Sequence, residues 1–262
     1  MSWINAHHED TPRGRVTTVE INNEAKRNAV NVEVALELRQ VFEELAVDPD
    51  LRAVILRGAG DKAFIAGADI NVMQNLASPD EARAFITSLH LAIKAIRELP
   101  VPTIARLSGA CFGAGLEIAA GCDMRIGDES TVIGMPEVKV GIPSVIEAAL
   151  LPGLIGGGRT REMLLTGMNY SAQEALSMNF LQRLVSHDRL DATIQDHINH
   201  ILESGPRAVR AQKALINKWT GLDLEDAIQA GIEHFAEAYE TDEPQTYMAP
   251  HLARRKSKKE TT

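Results

Sequence analysis

The sequence of 262 residues has few features that suit a nucleic acid, a membrane or an oxidising compartment. It contains only two cysteines, Cys111 and Cys122, which have neither zinc-ligand spacing nor a disulfide framework around them. The net charge of −9 argues against nucleic-acid or anionic-membrane partners, because both require basic surface. No stretch approaches the roughly 18–20 apolar residues of a membrane span, and the opening MSWINAHHED is too polar for a secretory signal. These absences predict a reduced, cytoplasmic protein.

Several catalytic and cofactor motifs are also missing. Gly113 and Gly115 lack the third glycine of a dinucleotide fingerprint, and the Gly-Lys-Ser/Thr of a P-loop is absent. No Gly-x-Ser-x-Gly elbow supports a serine hydrolase. His197 and His200 could pair on a helix, but without a carboxylate motif a solvated face is the simpler interpretation. We therefore expect neither a bound metal nor a nucleotide cofactor.

What the chain does contain is a strand–turn–helix pattern that recurs about every fifty residues. Segments 16–22, 53–57 and 103–107 predict strands. Amphipathic segments that start at Asn31 and Ser78 predict helices running to about residues 47 and 99. This alternation is typical of α/β layering, in which strands lead into ligand-binding loops.

From Ser144 onward the pattern is mainly helical, with one further strand predicted at 181–185. The glycines at 156–158 are interpreted as a simple loop before a helix. Two amphipathic helices, at about 207–219 and 224–239, follow Pro206. Pro206 is the candidate boundary, so we expect an α/β core of residues 1–205 and a helical C-terminal region of residues 206–262.

The most informative stretch is 108–123, SGACFGAGLEIAAGCD, in which glycines precede a short apolar helix that contains Glu117. Such glycines allow a close approach to a ligand, and the first N–H groups of a helix favour an oxygen that gains negative charge. Glu117 is costly to bury unless it has partners or a function. An oxyanion site beside a carboxylate is one interpretation. The alternatives are a packing device and a Glu117 that points to solvent.

Four segments together resemble the crotonase superfamily, also called the enoyl-CoA hydratase/isomerase family. They are AKRNAV at 25–30, KAFIAGADI at 62–70, GACFGAGLEIAAGCD at 109–123 and MPEVKVGIP at 135–143. Their order and mutual spacing match that family over nearly the whole chain. The resemblance implies an α/β fold, namely a crotonase-like spiral of ββα units with a helical C-terminal region.

The resemblance also implies a site for a CoA thioester. Its carbonyl oxygen would lie between two backbone N–H groups, those of Ala68 and Ala114 in this chain. Glu117 and Glu137, 20 residues apart, would act on one water. Glu117 would mainly activate this water, and Glu137 would mainly protonate the α-carbon. The other implied substrate-binding positions, the first two of them near the CoA phosphates, are Lys26, Arg27, Ala66, Asp69, Ile70, Asn71 and Gly141.

The implied activity is that of an enoyl-CoA hydratase, which adds water across the 2,3 double bond of a 2-enoyl-CoA. Coenzyme A enters as part of the acyl-CoA substrate, so no separate cofactor is expected. The implied assembly is a homotrimer or a dimer of trimers, with the C-terminal helices at subunit contacts. The alternatives are a double-bond isomerase or a thioester hydrolase on the same scaffold, and a non-enzymatic oligomeric binding protein.

The loop after the second glutamate departs from the family pattern. Relatives commonly have a glycine-rich GIIPGAGG-like loop, whereas this chain reads GIPSVIEAALLPGLIG and is one residue shorter. We expect Val145, Ile146 and Leu150 to add bulk to the acyl site and to restrict the acyl group. The loop also introduces Glu147, which we expect at a surface position of a helix.

Overall fold

The computed structural model describes residues 2–259, with side chains at 2–250 and 252–253. The ten strands of the described chain are β1 (Ile4–Thr11), β2 (Gly14–Ile21), β3 (Leu51–Gly58), β4 (Ala63–Ile65), β5 (Thr103–Leu107), β6 (Ala110–Phe112), β7 (Met124–Asp128), β8 (Val132–Gly134), β9 (Asn169–Ser171) and β10 (Arg183–Val185). Its ten α-helices are α1 (Val32–Ala46), α2 (Ile70–Gln74), α3 (Pro79–Glu98), α4 (Ala114–Gly121), α5 (Leu151–Thr166), α6 (Ala172–Ser177), α7 (Leu190–Glu203), α8 (Pro206–Trp219), α9 (Leu224–Ala238) and α10 (Glu243–Lys259). Four 3-10 helices complete the elements: Glu24–Lys26, Glu137–Val140, Ile146–Leu150 and His187–Arg189.

The strands form two sheets, and from β3 to β8 successive strands alternate between them. The larger sheet has the order β1-β2-β3-β5-β7-β10, and the smaller one has the order β4-β6-β8-β9. The pairs β3/β4, β5/β6 and β7/β8 therefore each contribute one strand to either sheet, and neighbouring units pair in parallel. Parallel strands need crossover connections, which the helices supply. This repetition confirms the predicted spiral of ββα units.

The predicted helices α1 and α3 cover the larger sheet, and both start where the sequence indicates. Asn31 accepts a hydrogen bond from the backbone N–H of Val34 and so caps α1. Ser78 caps α3 in the same way, with Pro79 in the first turn. One face of each helix is buried in the common core, for example Leu38 and Phe42 of α1 and Leu89 of α3.

Helix α4 lies unusually close to strand β4, and this contact fixes the part of the fold that carries Glu117. All eight residues of α4 are buried. A Cβ atom at Gly115 would lie 2.2 Å from the carbonyl oxygen of Ile65, so only glycine permits this packing. The carboxyl end of β4 and the amino end of α4 are thereby brought together.

The structure adds elements that the sequence did not predict. Strand β1 pairs antiparallel with β2 over its whole length, and α10 follows the two predicted C-terminal helices. The predicted loop at 156–158 is wrong in part, because α5 has helical turns on both sides of Gly156 and is interrupted there at φ 79°. The left-handed backbone that glycine tolerates produces a kink and not a loop.

The described chain divides into two compact units, of which the first ends at Ile198 and the second begins at Asn199. The second unit contains α8, α9 and α10. The separation of a site-bearing core at 1–205 from a helical C-terminal region at 206–262, which serves oligomerisation and covers the site, stays a prediction. None of the helices between residues 2 and 259 is long and apolar enough to cross a membrane.

Candidate active site

The first unit contains a cavity of about 490 Å³ at the meeting point of the β4–α2 loop, the start of α4 and the segment after β8. Its size is within the range of small-molecule sites. Most of its wall is apolar, and the large apolar side chains that line it are Ile70, Met73, Phe85, Ile86, Leu89, Phe112, Val140, Ile142 and Val145. Two carboxylates, Glu117 and Glu137, lie on the same wall.

Glu117 is in the first turn of α4 and is only 5% exposed. Its Oε1 accepts a hydrogen bond of 3.0 Å from the backbone N–H of Ala148. Burial raises the pKa of Glu117 to about 8; the Ala148 N–H opposes this rise, and the negative charges of Glu137 and Glu147 add to it. This shift favours the protonated form of Glu117 near neutral pH, and the buried side chain does not point to solvent.

Glu137 opens the 3-10 helix Glu137–Val140 and is half-buried. Its Oε2 accepts a hydrogen bond of 2.9 Å from the hydroxyl of Ser144. Its Oε1 faces Gly113, because a Cβ atom built there would lie 2.5 Å from this oxygen. Glu117 follows Gly113 by four residues, so the start of α4 lies beside both carboxylates although Glu117 and Glu137 are 20 residues apart in the sequence.

The backbone N–H groups of Ala68 and Ala114, which both line the cavity, have no acceptor among the described residues. Ala114 is the first residue of α4, so its N–H has no partner within the helix. Ala68 forms a parallel bridge with Val30, in which the bonds run from Val30 N–H to Gly67 and from Asp69 N–H to Val30. Among the hydrogen bonds between described residues, none is donated by the N–H of Ala68 or Ala114. Both groups are available to an oxygen in the cavity.

An ion pair lies at one edge of the cavity. Lys26 Nζ and Asp69 Oδ2 are 2.6 Å apart, and Asp69 also caps α2 by accepting from the N–H of Asn71. The Lys26 hydrogen bond, assisted by Asn71, outweighs burial and lowers the pKa of Asp69. The negative side chain of Asp69 therefore holds the ammonium group at this edge.

The structure places most of the predicted substrate-binding residues on the cavity wall. Lys26, Ala66, Asp69, Ile70 and Asn71 line it. The other two, Arg27 and Gly141, are not among the lining residues. Arg27 uses its carbonyl oxygen to accept from the Ala66 N–H, and Gly141 ends a 3-10 helix in the left-handed conformation at φ 82°. Both residues therefore shape the backbone beside the cavity.

The prediction that Glu147 occupies a surface position is wrong. Its side chain is 3% exposed, and Oε1 lies 2.9 Å from Nδ1 of His90 and 3.4 Å from Nη1 of Arg97. The sequence predicts a helix in this segment, but residues 146–150 form a 3-10 helix that begins at Ile146 with φ 38°. This turn carries Glu147 inward, where α3 provides its partners.

Of the three apolar residues that we expect in the acyl site, only Val145 lines the cavity. Ile146 and Leu150 are absent from the cavity wall and pack against the core from outside it. The residues that hold the two carboxylates, Ser144 and Ala148, were also missed. Neither carries a signal in the sequence, because a serine hydroxyl and a backbone N–H are recognisable only when their acceptor is known.

The fold has close counterparts among solved structures. The crystal structure of an enoyl-CoA hydratase from Bacillus anthracis superimposes with a TM-score of 0.91 at 28% identity, covering 97% of each chain. The fold and the cavity with its two carboxylates define an α/β protein of the crotonase class.

Sequence comparison leads to the same class of protein and identifies the family within it. The model of the enoyl-CoA hydratase/isomerase family matches residues 12–260, and the chain belongs to this family. It is 33% identical over 244 residues to the short-chain-enoyl-CoA hydratase of Clostridium acetobutylicum, covering 93% of each chain. It is 32% identical to the crotonyl-CoA hydratase of Syntrophomonas wolfei, covering 93% of this chain and 94% of the relative.

Proposed function

We propose that this protein is an enoyl-CoA hydratase, which adds water to a 2-enoyl-CoA and yields a 3-hydroxyacyl-CoA. The observation that carries the proposal is the presence of two carboxylates and two free N–H groups on the wall of one apolar cavity. The relatives described above, named as short-chain-enoyl-CoA and crotonyl-CoA hydratases, support the same substrate class.

The reaction needs one proton acceptor and one proton donor at the double bond. The water oxygen forms a bond to C3 and gives its proton to one carboxylate, while the π electrons move toward the thioester. The other carboxyl group then gives its proton to C2, so no proton is gained or lost overall. The pair Glu117/Glu137 can do this because Glu117 holds one proton at neutral pH.

The division of roles within the pair follows from where this proton lies. We propose that Glu117 mainly activates the water and Glu137 mainly protonates C2. Because burial keeps the proton on Glu117 in the free protein, it must pass to Glu137 when thioester and water bind. A coupled pair permits such a transfer, since the proton belongs to both carboxylates.

The free N–H groups of Ala68 and Ala114 are the proposed oxyanion hole. They would bind the thioester oxygen, which gains negative charge as water adds. A backbone donor cannot be removed by trimming a side chain, so the test replaces the amide of Ala114 by an ester. We expect turnover to fall on the order of 10²-fold. Unchanged turnover in the folded ester variant would remove Ala114 from this role.

A homotrimer or a dimer of trimers is the proposed assembly, and the second unit supports a subunit contact. Its helices α8 and α9 expose large apolar side chains, namely Ile216, Trp219, Leu224, Ile228, Ile232, Phe235 and Tyr239. Exposed apolar clusters mark interaction surfaces. Light scattering on the purified protein measures the assembly directly. A cytoplasmic location stays a prediction from the sequence.

The activity is tested with crotonyl-CoA and a set of longer 2-enoyl and 3-enoyl thioesters. Hydration removes the conjugated enoyl thioester and forms the 3-hydroxy product without releasing CoA. Release of free CoA would instead indicate a thioester hydrolase, and conversion of 3-enoyl to 2-enoyl substrates without hydration would indicate an isomerase. No turnover of any thioester would favour a binding role.

A further inference from the structure

Glu147 belongs to a buried polar cluster that the proposed chemistry does not use. The side chains of His90 and Arg97 on α3 are each about two-fifths exposed, and both reach inward to the Oε1 atom of Glu147. The second oxygen, Oε2, is buried and accepts no hydrogen bond from a described residue. A carboxylate this deeply buried is costly unless its position has a use.

The neighbouring residue links this cluster to Glu117. Ala148 directly follows Glu147, and its N–H donates the 3.0 Å hydrogen bond to Glu117 Oε1. Fixing the Glu147 side chain against α3 therefore also fixes the peptide group that holds Glu117. The 3-10 helix Ile146–Leu150 packs against both α3 and α4. The contacts of Glu147 with His90 and Arg97, called the clamp below, therefore link these two helices.

Charge gives the cluster a second effect on Glu117. Two negative groups face Glu117, Glu137 from the segment after β8 and Glu147 from the 3-10 helix Ile146–Leu150. The basic groups of α3, His90 and Arg97, both lie at Oε1 of Glu147, and the buried Oε2 has no donor to offset its charge. A nearby negative charge favours the protonated form of a carboxyl group.

We propose that Glu147, clamped by His90 and Arg97, is a positioning residue that holds the Ala148 N–H on Glu117 and favours retention of the one proton that Glu117 and Glu137 share. This inference rests on the proposed hydratase function. It assigns a purpose to the loop in which the chain departs from its relatives. The carboxylate and its clamp lie in the segment where the sequence departs from the glycine-rich pattern.

Two variants of Glu147 separate the effect of its negative charge from the effect of its side-chain length. Glu147→Gln keeps the size of the side chain and removes its charge, whereas Glu147→Asp keeps the charge and shortens the reach to His90. Glu98→Gln is the matched control, because it removes a charge from the exposed side of α3, where Glu98 pairs with Lys94. An ester in place of the Ala148 amide removes the hydrogen bond to Glu117.

Two readouts are used, and one of them does not depend on turnover. Carbon-13 NMR of labelled glutamate carboxyls, with Glu117 assigned by its loss in Glu117→Gln, gives the pKa of Glu117 in each variant. The pH profile of kcat/KM with crotonyl-CoA gives the pH at which the shared proton is lost. If the parent protein hydrates neither crotonyl-CoA nor any longer 2-enoyl-CoA, the proposed function fails while the NMR titration still tests Glu147.

The expected changes have opposite signs. Glu147→Gln lowers the pKa of Glu117 and moves the alkaline limb of kcat/KM to lower pH by roughly 0.5–1 unit, which costs up to roughly fivefold in kcat/KM at pH 8. The Ala148 ester raises the pKa of Glu117, because the ionised carboxylate loses a donor. Glu147→Asp keeps the alkaline limb of kcat/KM at its parental pH but lowers kcat. Glu98→Gln changes neither the pKa of Glu117 nor the pH profile of kcat/KM.

The proposal is overturned if folded Glu147→Gln leaves both readouts as in the parent, or moves them no further than Glu98→Gln does. If Glu147→Gln does not fold, the Ala148 ester still tests the hydrogen bond. An unchanged pKa of Glu117 in the folded ester variant overturns the positioning role.

Discussion

Gly113 and the carboxylate of Glu137 lie so close that a methyl group added to Gly113 would stand 2.5 Å from Glu137 Oε1. Gly113 also adopts φ 51°, a conformation that favours glycine. Gly113, which immediately precedes α4, therefore has two reasons to lack a side chain: its backbone conformation and the nearby Glu137 carboxylate. The same Cβ position lies 3.9 Å from the Cα atom of Gly67, in the loop that presents Ala68.

Gly113→Ala is expected to lower kcat more than it lowers stability. The added methyl group displaces the flexible end of Glu137, and misplacement of a reacting group by about 1 Å costs roughly 10²-fold. The strained backbone costs about 1–3 kcal/mol in the free energy of unfolding. Crotonyl-CoA hydration and thermal melting measure the two effects. Gly158→Ala, where the added Cβ meets open space, is the control and should leave kcat unchanged. Full activity in Gly113→Ala would show that Glu137 has room to move.

Glu117→Gln and Glu137→Gln are each expected to lower turnover by about 10²–10⁴-fold while the fold survives. Glutamine has nearly the same shape, but it cannot exchange the proton that the reaction moves. Because both residues act on one water, the double variant should lose much less than the product of the two single losses. Steady-state rates with crotonyl-CoA and circular dichroism are the measurements. A single variant with near-parental turnover would exclude that residue from the mechanism.

The pH dependence of kcat/KM is expected to show an alkaline limb near pH 8. Burial raises the pKa of Glu117 to about 8, so the carboxyl keeps its proton below that pH and loses it above. The active form of the pair holds one proton, and activity therefore falls as the pH rises through 8. The residual activity of Glu117→Gln should show no fall in kcat/KM near pH 8. A parental profile that rises through pH 8 would mean that doubly ionised carboxylates are the active form.

Val145→Ala is expected to widen the range of acyl groups, whereas Ile146→Ala is not. Val145 lines the cavity and Ile146 does not, although the two are adjacent in the chain. One methylene in an apolar pocket changes discrimination by roughly 1–3 kcal/mol, so the preference for longer over shorter 2-enoyl-CoAs should rise by roughly tenfold or more. Relative kcat/KM values across straight and branched substrates measure this preference. Equal shifts in both variants would indicate that the loop acts as a whole and not through its cavity-lining residue.

His187 is expected to stabilise the fold in mildly acidic solution. Its Nδ1 lies 2.7 Å from Oδ2 of the buried Asp128, and this hydrogen bond raises the pKa of His187 above its ordinary value of 6.5. Burial opposes the charge of Asp128, but hydrogen bonds from Ser130, His187 and Ser108 outweigh it and lower the pKa of Asp128 below 3.8. The His187 contribution is complete below pH 6.5 and is lost as the pH rises through its raised pKa. The Asp128 contribution is complete above pH 3.8 and is lost as the pH falls through its lowered pKa.

Both contributions act together between about pH 4 and 6.5. His187→Gln should therefore lower the melting temperature more at pH 5.5 than at pH 8.5. His7→Gln, at an exposed position of β1, is the control and should show no such difference. An equal loss at the two pH values would mean that the charge of His187 contributes nothing to the stability of the folded protein.

The sequence by itself determined the repeating strand–helix pattern, the glycine-rich entry to α4 and the two glutamates, because these features depend on local periodicity and on motifs of a few residues. It placed Asn31 and Ser78 at helix starts correctly for the same reason, since a cap bonds to residues only three positions away. Only the tertiary structure decided that Glu147 is buried and that Val145, but neither Ile146 nor Leu150, lines the cavity. Those outcomes depend on the inward turn at Ile146 and on partners supplied by α3, some 50 residues earlier in the chain. Packing between distant segments determines which side chains of a short turn are buried, and the local sequence pattern does not contain that information.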